Sequence, residues 1–567
     1  MIKKIFSLIV IVLFAVTLVA CGDNSNGGDH ENPHHNRKEV SLTVYSQLAN
    51  FSGKMQGWFA QIMKEKFNVS LVIVPDAEGT YATRMESGDL GDLVVWGGDG
   101  QDYKNAVDQG MLFDWEEDNL VQDYGPFIWE NMKDALNKNK ELSGGKIYGF
   151  GHDVSLSSED IQSFFYTWDV RWDLYEKAGK PKVKDLDDFF DLMVAMKEIE
   201  PKDENGNETY AVSLWPDWDG NMVMYVKAFA TAYYGYDELG IGLYDTETGD
   251  FMGALDQGSY YLEALKFFNR LYRAGLLDPD SMTNTYDEAT SKAIAGGTFF
   301  SIFNYSGSLA YNTTKHIEEN KLMLSLLPED AKPIVYGLST LGGNRVWSIG
   351  SKSQYPELAM EIINWLATPE GRMTVEYGPY GENWDYDEDG KTYFTEQGMR
   401  MREDINETFG EDSRFTGRFT DGRFEINNTT WALDSENPDS NGETYNWEFW
   451  ESNRESARNE LEESWREFTG FSHHQEYLAS KNYKIAIGSS YSEGRKTSEL
   501  KVIWEQVIKD IVDNSWLAIY AANDGQFNFH VNNMINNAKA HGYQKAWDWS
   551  ANEASLRWEA EEALRNN

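Results

Sequence analysis

The change of hydrophobic period between residues 40 and 96 constrains this chain more than any other feature. Val40, Leu42 and Val44 alternate with other residues as in a strand, and Trp58, Phe59, Ile62 and Met63 recur at helical spacing within 55–67. A near-continuous apolar run at 69–74 reads as a strand buried on both faces, 80–87 as a short helix and 93–96 as a third strand. Strand, helix, strand, helix, strand requires a parallel sheet with right-handed crossovers. Ligands of such sheets sit beyond the carboxyl ends of the strands. Those ends carry Gln47 and Asn50, then Asp76, then Trp96 and Asp99.

Ahead of this unit stand Lys3 and Lys4, an apolar run over 5–19, and Ala20-Cys21-Gly22. A basic start, an apolar core too short to span a bilayer and a small-residue cleavage site describe an export signal. The expectation is a signal peptide at 1–20, with Cys21 lipidated after cleavage; an ordinary secretory signal with a stray cysteine is the alternative. Residues 21–39 hold no large apolar side chain before Val40 and read as a flexible tether, with His30, His34 and His35 as solvated spacer. Cys21 is the one cysteine, so no disulfide can form within the chain. The remainder is too long for one core, and two lobes are expected. With 93 acidic against 50 basic residues, the net charge of -43 excludes a nucleic-acid footprint and disfavours anionic lipid at the protein surface. The 20 Trp and 31 Tyr suit stacking against sugar rings.

Residues 86–94 (ESGDLGDLV) resemble the GDLPD stretch of family 1 extracellular solute-binding proteins, the receptors of sugar ABC importers, with Gly91 in place of the usual proline. Similar likenesses recur at 146–150 (KIYGF, with His152 near the usual proline), 168–174 (WDVRWDL), 215–218 (WPDW) and 296–303 (GGTFFSIF). Residues 342–350 (GGNRVWSIG) lead to a helix over 356–367 with Pro356 at its first position, and Thr368 caps the next one. Asp185 is the expected N-cap of a helix whose apolar face is Leu186, Phe189, Phe190, Met193 and Met196. The resemblance implies an α/β, two-lobed periplasmic-binding-protein fold, type II-like, with inter-lobe crossovers and a long, largely helical C-terminal region. Its expected lobes are 40–150 plus 300–350, and 151–299 plus 351–567. It also implies an extracytoplasmic lipoprotein on the outer face of the cytoplasmic membrane. Such a protein, as a monomer, would capture an oligosaccharide and hand it to ABC permease subunits by hinge closure.

The expected ligand-binding set is Gln47, Asn50, Trp96, Asp99, Asp153, Trp168, Arg171, Trp215, Trp218, Tyr305, Trp347 and Trp384, with core packing the alternative for each tryptophan. No zinc-protease motif, phosphate loop or nucleophile elbow occurs, and no catalysis is expected. A surface polysaccharide-degrading enzyme, a peptide receptor of similar fold and an adhesive lipoprotein stay open, because so many acidic residues make chance carboxylate pairs unavoidable. His473-His474 reads as surface. Residues 385–396 fit D-x-D-x-D-G-x5-E, which offers Asp385, Asp387, Asp389 and Glu396 to a structural calcium ion; the same residues read equally as a hairpin with an Asp-Gly-Lys tip. Residues 203–207 (DENGN) read as a turn.

Overall fold

Val40–Ser46 pairs in parallel with Val69–Pro75 on one side and Leu93–Val95 on the other, as the alternation of periods requires. A computed structural model describes residues 38–565, apart from 78, 156–160, 425, 427–431 and 455–456. Cys21 and the signal lie outside the described residues. Three further strands complete the first sheet: Gly53–Lys54, and, antiparallel on the far side, Val346–Ile349 and Gly149–Gly151. Helix Gly57–Phe67 covers one face through Trp58, Phe59, Ile62 and Met63.

A second sheet holds Phe300–Phe303, Tyr166–Arg171 and Met323–Ser325, all antiparallel. Its core is separate from that of the first sheet and includes Trp168, Phe189, Met193, Phe229 and Phe268. The chain passes between the two lobes after Gly149–Gly151 and again before Val346–Ile349. Asp185 caps helix Leu186–Ile199 by accepting from the amides of Asp187 and Asp188, and Thr368 accepts from Gly371 N.

The lobe boundaries differ from the expectation in two places. Phe300–Phe303 joins the second sheet rather than the first, so of 300–350 it is Val346–Ile349 that pairs in the first sheet. Helix Pro356–Ala367 and the segment through Phe424 pack on the first lobe, not the second. Trp58 stacks on Phe419 with centroids 5.5 Å apart, and its Nε1 donates to Phe419 O at 2.9 Å. Gly57 (φ +76°) permits this seat, because a Cβ there would lie 2.4 Å from Gly422 Cα. The last three helices, Ser498–Ile519, Asp524–Ala540 and Tyr543–Arg565, pack on the second lobe through Trp504, Ile511, Met534 and Tyr543.

Candidate functional site

At the carboxyl ends of the first sheet, Gln47 is a brace. Its Oε1 accepts from Gly97 N at 2.8 Å and its Nε2 donates to Asp102 Oδ2 at 3.1 Å, which fixes the loop entering helix Gln101–Asp108. Asn50 is exposed beside it. Asp99 is buried and accepts from Ser492 Oγ at 2.9 Å, a contact between a first-lobe loop and the C-terminal region. Its other oxygen lies 3.9 Å from the buried Lys138 Nζ. Desolvation raises the Asp99 carboxyl and lowers the Lys138 ammonium, their mutual attraction opposing both shifts.

Near the crossovers, burial raises the Asp153 carboxyl despite the nearby charges of Arg372 and Arg345. Gln162 Nε2 approaches Asp153 Oδ2 at 3.5 Å. Next to it the buried His152 is pushed down to about 3, chiefly by desolvation.

The second lobe carries a continuous row of aromatic rings that begins beside the crossovers. Tyr336 stacks on Phe165 (5.9 Å), Phe165 on Phe303 (6.0 Å) and Phe303 on Tyr305 (4.7 Å, 21° between planes). Tyr286 lies 6.0 Å from Tyr305 and stacks on Trp218 at 4.6 Å. Trp218 ends the row 47% exposed, whereas Trp215 beneath it is 2% exposed and meets Trp218 edge-on at 5.6 Å. A cavity of about 10 Å³ under Trp215 is far too small for a sugar, so the usable surface is the row itself. Two carboxylates aim the loop. Asp217 accepts from Tyr286 N at 2.8 Å, and Asp219 accepts from Met224 N and Trp516 Nε1, both at 2.7 Å.

Several expected ligand residues lie elsewhere. Trp96 is fully buried among Tyr45, Tyr81 and Tyr103, because the end of its strand points into the first-lobe core. Trp347 is buried in the first lobe as a central-strand residue. Trp168 fills the second-lobe core, its Nε1 donating to Ala232 O. Arg171 is buried in a bidentate pair with Asp173 (both contacts 2.8 Å) and covers the Tyr311 ring at 4.9 Å. Trp384 is buried in a small cluster with Met373, Tyr377 and Trp450. Of the set, Trp215, Trp218 and Tyr305 come together. Phe165, Tyr286, Phe303 and Tyr336 were missed; the capping box that Thr285 and Glu288 make was a sequence-level signal for the helix that presents Tyr286.

Residues 385–396 fold as a hairpin, Trp384–Tyr386 against Thr392–Phe394. Asp387 Oδ1 closes the turn by accepting from the amides of Asp389 (2.9 Å) and Lys391 (2.7 Å), and Gly390 supplies a φ of +75°. Glu396 stands at the start of the next helix, 94% exposed and paired with Arg400. Strand pairing holds these carboxylates apart: the one three-residue group of metal-ligand type among the described residues is Glu448, His473 and His474. Asp387 is engaged as a turn residue, so the folded hairpin does not fit a calcium cage.

Two lobes joined by crossovers, with an open row of aromatic rings starting at the junction, define a hinged binding protein for a small solute. The sequence profile of the family described as bacterial extracellular solute-binding protein matches residues 58–381, more than half of the chain. The chain belongs to this family. It is 24% identical over 214 residues to lipoprotein LipO of Bacillus subtilis, a match covering 37% of this chain and 39% of that protein's length. Three solved structures share the fold. The alginate-binding protein AlgQ2, solved without calcium ion, aligns at TM-score 0.58 and 14% identity over 92% of this chain and 98% of its own. FusA of Streptococcus pneumoniae, in complex with kestose, aligns at 0.59 and 16% over 93% and 100%. An HMO-binding solute-binding protein of Bifidobacterium longum infantis aligns at 0.54 and 13% over 92% and 99%. No helix among the described residues is long and apolar enough to cross a membrane.

Proposed function

We propose that this protein captures an oligosaccharide outside the membrane and delivers it, unaltered, to an ABC importer by hinge closure. The observation that carries the reading is the aromatic row from Tyr336 to Trp218, whose outer member leaves about half its surface free. Pyranose and furanose rings present apolar faces of the size of an indole, and a row of rings binds successive sugars of a chain. The opposing lobe offers Gln47, Asn50 and the loop at 97–102 as polar partners for hydroxyl groups. That relatives of the same fold include a kestose complex and an alginate-binding protein supports this ligand class. Closure over the sugar brings both lobes into contact with it and favours the closed state by differential affinity. Cys21 would carry the lipid that holds the monomer at the outer face of the cytoplasmic membrane, with residues 21–39 as tether. A calcium ion at the hairpin would require Asp387 to release the two amides that it holds.

The test is a titration of the protein against neutral and uronate oligosaccharides and short peptides, followed by calorimetry and tryptophan fluorescence, with product analysis on any binder. Tight binding of one sugar class without turnover is the expected result. Hydrolysis would make the protein an enzyme; binding of peptides alone would keep the fold and replace the function.

A further inference from the structure

A second cluster of ligand-type side chains lies at the boundary between the lobes, apart from the aromatic row. Glu448 sits on the short helix Trp447–Phe449, in the segment that Met373 and Tyr377 anchor beside the first lobe. His473 caps, and His474 begins, helix His474–Ala479, whose Tyr477 and Leu478 belong to the second-lobe core. The sequence placed the two histidines on the surface. Instead both are part-buried against the buried Glu448, and one ligand-type atom from each of the three lies within 4.8 Å of the others.

The hydrogen bonds around the cluster define its chemistry. Gln475 is clamped on the Phe164 backbone: its Oε1 accepts from Phe164 N (2.6 Å) and its Nε2 donates to Phe164 O (3.0 Å). The same Nε2 lies 3.0 Å from His474 Nε2, so that imidazole nitrogen is the acceptor and the ring is neutral with its proton on Nδ1. This lone pair also faces Glu448 Oε2 across 3.7 Å. Two electron-rich atoms thus look at one another with no proton required between them. The gap is close to the roughly 3.4 Å that separates two ligands on one tetrahedral zinc ion with bonds of about 2.0–2.1 Å. Desolvation lowers His473 to about 2 and His474 to about 4, which keeps both in the ligating neutral form, and raises Glu448 to about 7. The neighbouring cations are engaged elsewhere: Arg458 with Glu462, Arg454 with Glu476, and Arg402 over the Trp447 ring. A cavity of about 420 Å³, lined by Phe449, Arg454 and Ser472 among others, opens beside the cluster, since Phe449 and Ser472 adjoin Glu448 and His473 in the chain. It supplies a route in and room for a water as fourth ligand.

We propose that Glu448, His473 and His474 form a site for a divalent transition metal of the zinc class, joining a first-lobe segment to a second-lobe helix close to the hinge. Two imidazoles and one carboxylate suit zinc and its neighbours rather than calcium, which takes oxygen alone. Loading exchanges the Gln475–His474 contact for a metal bond, while Gln475 stays anchored on Phe164.

The experiment uses the full chain carrying His30→Ala, His34→Ala and His35→Ala, so that the tether cannot bind metal. Protein stripped with chelator is dialysed against zinc and its metal content measured. About one zinc per chain is expected, with a rise in melting temperature on adding zinc and none on adding calcium. Glu448→Gln, which keeps size and shape, and the double variant His473→Gln/His474→Gln should each lose the zinc and the thermal rise. Near-UV circular dichroism confirms that Glu448→Gln is folded should the double variant fail. Absence of retained zinc in the parent overturns the proposal, as does equal retention in a folded Glu448→Gln protein.

Discussion

Replacing Trp218 and Trp215 one at a time separates ligand binding from folding. Trp218 is 47% exposed, with one face on Tyr286. A Trp side chain presents up to about 250 Å², so roughly 120 Å² stays open for a sugar to cover. At about 25 cal/mol per Å² that area caps the contribution near 3 kcal/mol, and a loss of about 1–3 kcal/mol, or about 10- to 150-fold in Kd, is expected for Trp218→Ala. Folding should change by no more than about 1 kcal/mol, because the ring is half in water already. Trp215 is 2% exposed and touches Tyr225, Tyr286 and Phe303. Trp215→Ala opens a cavity and should cost about 3–5 kcal/mol of stability. Calorimetry against the best-binding oligosaccharide and urea unfolding of each variant measure the two effects. Unchanged affinity in a folded Trp218→Ala protein would refute the stacking argument.

Three further outcomes follow from the same reasoning. Cys21→Ala should move the protein from the membrane fraction to the medium or leave full-length precursor, checked by fractionation and mass; mature, lipidated variant in the membrane would contradict the anchor. His152 is buried and held at about 3 against an ordinary 6.5, so the fold excludes its charged form. Its contribution is intact above pH 6.5 and is lost as pH falls towards 3, reaching about 2 kcal/mol at pH 5, and His152→Gln should flatten that part of the stability–pH curve. With the hairpin folded as described, calcium should leave the melting temperature unchanged, whereas Asp387→Ala, which frees two turn amides, should lower stability by about 1 kcal/mol in urea unfolding.

What the sequence determined by itself was local. The helix at Pro356–Ala367, the caps at Asp185 and Thr368 and the parallel pairing of the first three long strands depend on contacts within a few residues and on the period of apolar side chains. Those signals survive in one dimension. Tertiary structure decided which strand a segment joins: Phe300–Phe303 is apolar enough for either sheet, and its pairing with Tyr166–Arg171 spans more than a hundred residues. It also decided which aromatics meet solvent. Trp96, Trp168 and Trp347 follow or occupy strands just as binding residues would, yet each points into a core, while Trp218 stays open because Asp217 and Asp219 hold its loop against two helices. Tyr286, Phe165 and Tyr336 have no common sequence signature, since the row they form is assembled from four separate segments. Glu448 and the histidines at 473–474 came together for the same reason. Side-chain identity sets what a residue can do, and only packing sets which other residues it does it with.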